Sequence, residues 1–103
     1  MKPYYIPAIV EKERQDFIVD SIVDHDIVSA RDGFYERGPF LVFKVHWAGY
    51  THSDDTWQTY QSIQRVKALD DYAHDTSFQK LYNSKRYVEL HKRYPQRFPI
   101  FDT

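Results

Sequence analysis

Residues 46–60, HWAGYTHSDDTWQTY, concentrate aromatic and acidic side chains in one short stretch. Trp47 and Tyr50 stand on either side of Gly49, and Asp54 follows in a polar loop. Aromatic rings present a negative face to a cation, and each such contact contributes roughly 0.5 to 2 kcal/mol, depending on desolvation. The stretch therefore has two candidate roles: a hydrophobic corner of a small β-domain, or an aromatic pocket for a soft cation.

A methylated lysine is the side chain that best fits such a pocket. Its ammonium group keeps the positive charge, while the methyl groups remove hydrogen-bond donors and make the cation easier to desolvate. Three rings would supply several kcal/mol, which is enough for micromolar peptide binding when backbone pairing helps. Trp47 and Tyr50 are two candidate rings, and the third has to come from elsewhere in the chain.

The elements that must position these residues are short strands. Residues 17–28, FIVDSIVDHDIV, mix β-branched and charged residues in a way that is compatible with a bent strand. Residues 40–47, FLVFKVHW, alternate strictly, with Leu41, Phe43, Val45 and Trp47 on one face and Lys44 and His46 on the other. Gly49 then permits a sharp turn, and residues 56–60 resume β character as a short third strand.

Helical periodicity replaces the strand pattern from about residue 62. A short amphipathic helix is expected first, and a second helical segment begins near residues 75–77, which are good N-cap residues, and ends at Pro95. The pattern leaves open whether Asn83-Ser84 interrupts this segment. The expected fold is α+β: a small curled three-stranded antiparallel β-sheet closed by a C-terminal helix, with an extra helical extension.

Four motifs in order resemble the chromodomain, the methyl-lysine reader of the heterochromatin-protein and Polycomb families. They are DFIVDSIVDHDI at 16–27, FKVHWAGY at 43–50, DDTW at 54–57 and VKALDDYA at 66–73. The spacing from Trp-x-Gly-Tyr to Thr-Trp agrees with the family pattern. The resemblance implies a chromodomain over residues 15–75, while composition and periodicity predict an extended N-terminal arm over 1–14 and a basic helical extension over 76–103.

The resemblance also implies an aromatic cage whose walls are Phe17, Trp47 and Tyr50, with Asp54 as the acidic residue beside it. Trp57 is expected to be a core residue under the sheet. A methylated histone H3 tail would bind as an added β-strand between two backbone segments, and the protein would be nuclear and associated with chromatin. The expected peptide-groove residues are Glu13, Asp16, Val19, Gln58, Ser62 and Gln64.

Several positions depart from the family pattern. Phe17 stands where tyrosine is usual, which keeps the π face and loses the hydroxyl group. Gln58-Thr59 replaces Glu-Pro, so a carboxylate near the groove is missing, and Ser62 stands where many histone readers have asparagine. The loop over about residues 29–39 is longer than usual. We therefore expect affinity or peptide choice to differ from those of the family's strongest binders.

The flanking segments carry a second, narrower resemblance. IPAIVEK before the domain and HKRYPQRFP after it are similar to the flanks of chromodomains at the integrase C-terminus of long-terminal-repeat retrotransposons. Members of that group often lack part of the cage, whereas this chain keeps three aromatic positions. This resemblance implies that the domain tethers an integration complex to marked chromatin.

Charge divides the chain into an acidic body and a basic tail. Residues 1–76 hold 8 Lys/Arg and 13 Asp/Glu, and residues 77–103 hold 6 and 2. The body suits a cationic ligand, and the tail suits an acidic polymer. An auxiliary DNA or RNA contact would use Lys85, Arg86, Lys92 and Arg93, among other basic residues, with tyrosines interleaved.

Two alternatives to methyl-lysine recognition therefore remain: nucleic-acid binding, and binding of another protein through the aromatic groove or the C-terminal helix. Tyr82, Tyr87 and Tyr94 stand at helical spacing. Such spacing is more typical of a core face than of a platform on which bases stack. Nucleic-acid binding is thus the weaker interpretation of the tail.

Composition argues against most catalytic and metal sites. The absence of cysteine excludes disulfides, thiolate zinc sites and cysteine nucleophiles. Three glycines leave no Gly-rich phosphate loop, and the five histidines lack the helical His-x-x-x-His spacing of a metal site. No apolar stretch approaches the roughly 20 residues of a membrane span. We therefore expect no enzymatic activity, cofactor, metal, membrane contact or small-molecule substrate.

Overall fold

A computed structural model describes residues 18–29 and 38–101. Three strands form one antiparallel sheet in the order β1-β2-β3, with bounds β1 Val19–Ser29, β2 Pro39–Trp47 and β3 Thr56–Thr59. This architecture, with helices after the sheet, confirms the expected α+β fold. The predicted arm over residues 1–14 and most of the long 29–39 loop lie outside the described residues.

Strand β2 has two buried faces in its first half. Leu41, Phe43, Val45 and Trp47 point into the main core, as the alternation predicted, and this side is called the core face below. The opposite side, called the second face, carries Phe40, Val42, Lys44 and His46 from β2 and Trp57 from β3. Because Trp57 pairs with Lys44, it lies on the second face, whereas Trp47 lies on the core face.

Strand β1 is irregular, as its mixed composition indicated. The pairing with β2 shifts between Val19 and Ser21 and again between Ile22 and Asp24. An extra residue in one strand bends it and increases its twist. Between and after these shifts, Ile22 and His25 of β1 pair with Val45 and Phe43 of β2.

Helices follow the sheet, and a single turn of 3-10 helix precedes β3. The 3-10 turn spans His52–Asp54, and the α-helices are α1 Tyr60–Ile63, α2 Lys67–Tyr72, α3 Thr76–Tyr82 and α4 Lys85–Arg93. Asp75 caps α3 by accepting a hydrogen bond from Ser77 N at 3.0 Å, in agreement with the predicted N-cap run. Ser84 caps α4 by accepting from Tyr87 N at 3.2 Å, so Asn83-Ser84 does interrupt the helical segment.

The C-terminal helices share one hydrophobic core with the sheet. Phe78, Tyr87 and Phe98 are almost completely buried in the cluster that contains Phe43 and Leu69. The rings of Phe78 and Phe43 lie 5.6 Å apart between centroids, and Tyr87 Oη donates a hydrogen bond to the carbonyl of residue 99 at 2.7 Å. The boundary at residue 75 stays a prediction, but the core extends across it.

Among the described helices, none combines the length and the apolar character that crossing a membrane requires.

Candidate functional site

Trp47 ends β2 with its side chain on the core face. It is 4% exposed, and its indole Nε1 donates a hydrogen bond to Thr56 Oγ1 at 3.0 Å. Gln58 Nε2 donates to the same hydroxyl at 2.8 Å. Because β3 pairs Thr56 with Val45, the hydroxyl stands on the core face beside the indole. The neighbouring strand therefore fixes the orientation of the Trp47 ring.

Gly49 makes the turn that brings Tyr50 back toward Trp47. Its φ is +82°, in the region that only glycine adopts readily, and an added Cβ would meet no atom within 4 Å. Backbone conformation, and not crowding, therefore favours glycine here. Tyr50 N donates to Trp47 O at 3.1 Å, and the Tyr50 residue is 44% exposed. The two predicted cage residues thus lie on one tight turn.

Asp54 lies on the exposed 3-10 turn that follows. Its Oδ2 accepts a hydrogen bond from Thr51 Oγ1 at 3.2 Å, and its backbone N donates to Thr51 O at 3.0 Å. The carboxylate therefore belongs to the same loop as Tyr50 and faces solvent.

The third predicted cage wall, Phe17, lies outside the described residues, as do the groove residues Glu13 and Asp16. The next residue, Ile18, is described, and its carbonyl accepts a hydrogen bond from Ala48 N at 2.8 Å. The chain that follows Phe17 is therefore held against the turn between Trp47 and Tyr50.

The remaining groove residues have different environments. Val19 is half-buried and pairs with Trp47, while Gln58 is only 1% exposed and packs on the core face. Ser62 Oγ donates to Thr59 O at 2.8 Å, and Gln64 is exposed. The Oε1 atom of Gln58 is buried and accepts no hydrogen bond from any described residue. Gln58 thus faces inward, as a support for Thr56 and Trp47.

Trp57, predicted to be a core residue, is buried at 4% exposure. It packs with Phe40 and Val42 on the second face, with half-buried Val28 beside them. The predicted burial is confirmed, although the cluster is separate from the main core.

A group that sequence spacing did not indicate lies near the end of the second face. His46 Nδ1 donates to Asp55 Oδ1 at 2.8 Å, and His52 Nδ1 donates to Asp55 Oδ2 at 3.0 Å. Burial of Asp55 raises its pKa, but the two hydrogen bonds and the imidazole charges outweigh burial, so the pKa lies below its ordinary value. The antiparallel register of the strands brings the first pair together, because continuing the Val45–Thr56 pairing by one residue sets Asp55 opposite His46.

Helix α4 separates its basic and aromatic residues. Lys85, Arg86, Lys92 and Arg93 are exposed, and Lys92 Nζ lies 3.8 Å from Glu89 Oε1. Tyr87 on the same helix is 2% exposed and belongs to the core. The ring of Tyr87 is therefore inaccessible to a stacking base, in agreement with the core-face interpretation of the helical spacing.

The comparisons with known proteins bear on the sheet and its first helices. The family model described as the Chromo (CHRromatin Organisation MOdifier) domain matches residues 17–75, which is more than half of the chain. No curated protein and no solved structure shows significant similarity to the chain. The matched segment contains Trp47, Tyr50 and Asp54 together with all three strands. Domains of this family are chromatin-binding modules, not enzymes. The chain belongs to the chromodomain family and is a chromatin-binding module.

Proposed function

We propose that the chain recognises a methylated lysine on the tail of histone H3 through an aromatic cage of Phe17, Trp47 and Tyr50, with Asp54 as counter-charge. The observation that carries this proposal is the turn at Gly49. Trp47 and Tyr50 are joined across it by a 3.1 Å backbone hydrogen bond, and Ile18, the neighbour of Phe17, is bonded to Ala48 within it.

The fixed orientation of the Trp47 ring supports a cage, because cation–π attraction requires the ring face and not its edge. The bond from Trp47 Nε1 to Thr56 Oγ1 restricts rotation of the indole. A fixed ring loses little conformational entropy when a ligand binds, so more of the contact energy appears as affinity.

Exposure determines how a ligand would enter. Tyr50 is 44% exposed, whereas Trp47 is 4% exposed. A methylammonium group arriving from solvent meets Tyr50 first and reaches the Trp47 face only by displacing the groups that cover it. We therefore expect peptide binding to perturb the surroundings of Trp47 more than those of Tyr50.

Charge and sheet topology favour a basic, extended ligand. Asp54 is exposed beside Tyr50, and residues 1–76 carry an excess of acidic side chains. Strand β3 is an edge of the described three-stranded sheet, and such an edge can pair with an added strand. An H3 tail is basic and unfolded, so it satisfies both conditions.

The proposal is tested by titrating unmodified and trimethylated H3 tail peptides, covering each candidate lysine, into the chain and three variants. Tyr50→Ala should weaken binding of the preferred methylated peptide by about 2- to 30-fold, which corresponds to one cation–π contact. Trp47→Ala should abolish the preference for methylation. Val88→Ala is the matched control, because Val88 is 47% exposed on α4. This variant should bind each peptide with the affinity of the original chain.

Equal affinity for methylated and unmodified peptides, in the chain and in both aromatic variants, would contradict the proposal. If Trp47→Ala instead left all partner binding intact, recognition of another protein through a different surface would be the better interpretation. Circular dichroism of each variant separates loss of binding from loss of folding.

The exposed basic residues of α4 favour one auxiliary function, contact with nucleic-acid phosphates. Lys85, Arg86, Lys92 and Arg93 project from this helix while Tyr87 is buried, which favours electrostatic contact over base stacking. Phosphate binding predicts a steep decrease of DNA affinity with salt concentration. Substituting Lys85 and Arg86 with alanine should lower that slope, and an unchanged slope would exclude these residues from the contact.

The host of this module is, in this proposal, the integrase of a long-terminal-repeat retrotransposon, which the domain would tether to chromatin. The support is the resemblance of the flanks IPAIVEK and HKRYPQRFP to those of such integrases. Sequencing the coding region upstream of residue 1 tests this assignment. An integrase core with its acidic triad is the expected result, and an unrelated domain there would refute it.

A further inference from the structure

His46, His52 and Asp55 converge where β2 leaves the sheet and β3 enters it. The Nδ1 atoms of His46 and His52 lie 2.8 Å and 3.0 Å from the two carboxylate oxygens of Asp55. The imidazole rings stack with centroids 4.1 Å apart and planes inclined by 29°. One potential ligand atom from each residue lies within 4.8 Å of the other two. No second group of this kind occurs within residues 18–29 and 38–101.

We infer that these three residues bind a divalent transition-metal ion of the Zn²⁺ class. Imidazole nitrogen and carboxylate oxygen are ligands that such ions prefer when thiolates are absent. A tetrahedral zinc ion with bonds of roughly 2.0–2.2 Å holds its ligand atoms roughly 3.3–3.6 Å apart. The two nitrogen–oxygen distances run to different oxygens of Asp55, and one ligand atom from each residue lies within 4.8 Å of the others, so the side chains rotate to converge on one ion.

Protonation permits coordination without a change in folding. When the ion binds, it takes the place of the proton on each Nδ1: the imidazoles adopt the tautomer with the proton on Nε2, and each Nδ1 gives its lone pair to the ion. Asp55 supplies a carboxylate oxygen, since its two oxygens lie 2.8 Å and 3.0 Å from the imidazole nitrogens. The ligand set therefore carries one negative charge toward a divalent cation.

The proposed site is buried on one side and open to solvent on the other. The side chains of Asp55 and His46 are 3% and 15% exposed, whereas that of His52 is 74% exposed. The ion enters from the His52 side, and water completes its coordination there. Three protein ligands with one open position is a common arrangement for zinc.

The ion would connect parts of the chain that are separate in sequence. His46 lies on β2, His52 lies on the 3-10 turn, and Asp55 directly precedes β3. Coordination would therefore restrain the loop that carries Tyr50 and Asp54. None of the three ligands belongs to the proposed cage, so the metal site does not depend on methyl-lysine recognition.

Zinc titration of the tag-free 103-residue chain by isothermal calorimetry tests the inference. One ion per chain is expected, and Co²⁺ in the same site should show the intense visible absorption of a tetrahedral complex. His52→Ala should weaken zinc binding by at least about tenfold, the lower limit for the loss of a group that supports a metal. Because His52 is exposed, this variant should fold normally.

The matched control is His74→Ala, which removes an exposed histidine outside the cluster and should leave zinc affinity unchanged. Asp55→Asn keeps the side-chain volume and removes the charge, so it should weaken binding as His52→Ala does. Absence of saturable zinc binding by the chain would overturn the inference. It would also be overturned if His52→Ala and His74→Ala bound zinc with the same affinity as the unmodified chain.

Discussion

Trp47 and Trp57 are equally buried, at 4% exposure each, yet they occupy opposite faces of the sheet. Trp57 packs among Phe40 and Val42 in the interior of its face. Trp47 lies at the end of its strand, is bonded to Thr56 and adjoins the turn that exposes Tyr50. Burial alone therefore does not distinguish a structural aromatic residue from a candidate binding residue. The surrounding strand end, turn and hydrogen bonds make the distinction.

The two faces also differ in what covers them. The core face is covered by residues from the helices, including Ile63, Leu69, Phe78 and Tyr87. The second face has a cluster of only three buried hydrophobic residues among those the structure describes. We therefore expect substitutions on the core face to have the larger effect on stability, and the following predictions test this comparison.

Phe78→Ala should cause the largest loss, about 4 to 5 kcal/mol of unfolding free energy. Phe78 is fully buried, and its ring contacts the rings of Phe43 and Tyr72 from the matched domain. Urea denaturation measures the loss. A decrease below about 1 kcal/mol would mean that the C-terminal helices are not part of the core, since deletion of a packed core ring costs more than this.

Trp57→Ala should lower the unfolding free energy by about 3 to 4 kcal/mol, because its cluster is smaller but its ring is buried. Methylated-peptide affinity, measured at a temperature where the variant is folded, should stay as in the unmodified chain. Val88→Ala, at an exposed position, serves as the control with an expected change within about 0.5 kcal/mol. Loss of peptide binding in folded Trp57→Ala would show that the second face takes part in recognition.

Trp47→Phe should lower the unfolding free energy by only about 1 to 2 kcal/mol, because an aromatic ring remains while the hydrogen bond to Thr56 is lost. Thr56 Oγ1 still accepts from Gln58, so its hydroxyl stays paired. Methylated-peptide binding should weaken without losing its preference for methylation. If affinity were unchanged, orientation of the indole by Thr56 would be irrelevant to binding.

The smallest expected effect is a pH dependence of the unfolding free energy that arises from Asp55. Its folded-state pKa is below the ordinary 3.8, since burial raises the pKa but hydrogen bonds from His46 and His52 lower it more. The resulting stabilisation is present above that ordinary value and is lost as pH falls through the lower folded-state pKa. Denaturation with chelator present should show Asp55→Asn less stable than the unmodified chain at neutral pH. The difference in unfolding free energy between the two proteins should narrow below about pH 4. A difference that stayed constant with pH would contradict the lowered pKa of Asp55.

Much of the fold was predictable because its signals are local. The alternation of residues 40–47 indicated β2, and the run Asp75-Thr76-Ser77 indicated the start of α3. The break at Asn83-Ser84 was not predictable, because serine and asparagine occur both within and between helices. The placement of Phe78 and Phe98 in one core with Phe43 was also not predictable, since no local pattern specifies which distant residues share a core.

The candidate site also has features that the sequence predicted and features that only the strand register determines. The motif from Trp47 to Trp57 indicated the family, and the family match agrees with it, whereas the cage assignment stays a prediction with Phe17 outside the described residues. The place of Gln58 at the groove stays a prediction, while its side chain packs inward because its pairing with Phe43 turns it to the core face. The His46–Asp55 contact depends on the same register.

By itself, the sequence determined the family, the strand and helix types and the position of the Gly49 turn, because periodicity, capping and turn preference act over a few residues. Only the tertiary structure decided that Trp57 lies on the face opposite Trp47, which histidines meet Asp55 and that the C-terminal helices complete the core. Those features depend on strand register and long-range packing, in which a shift of one residue would move every side chain to the opposite face.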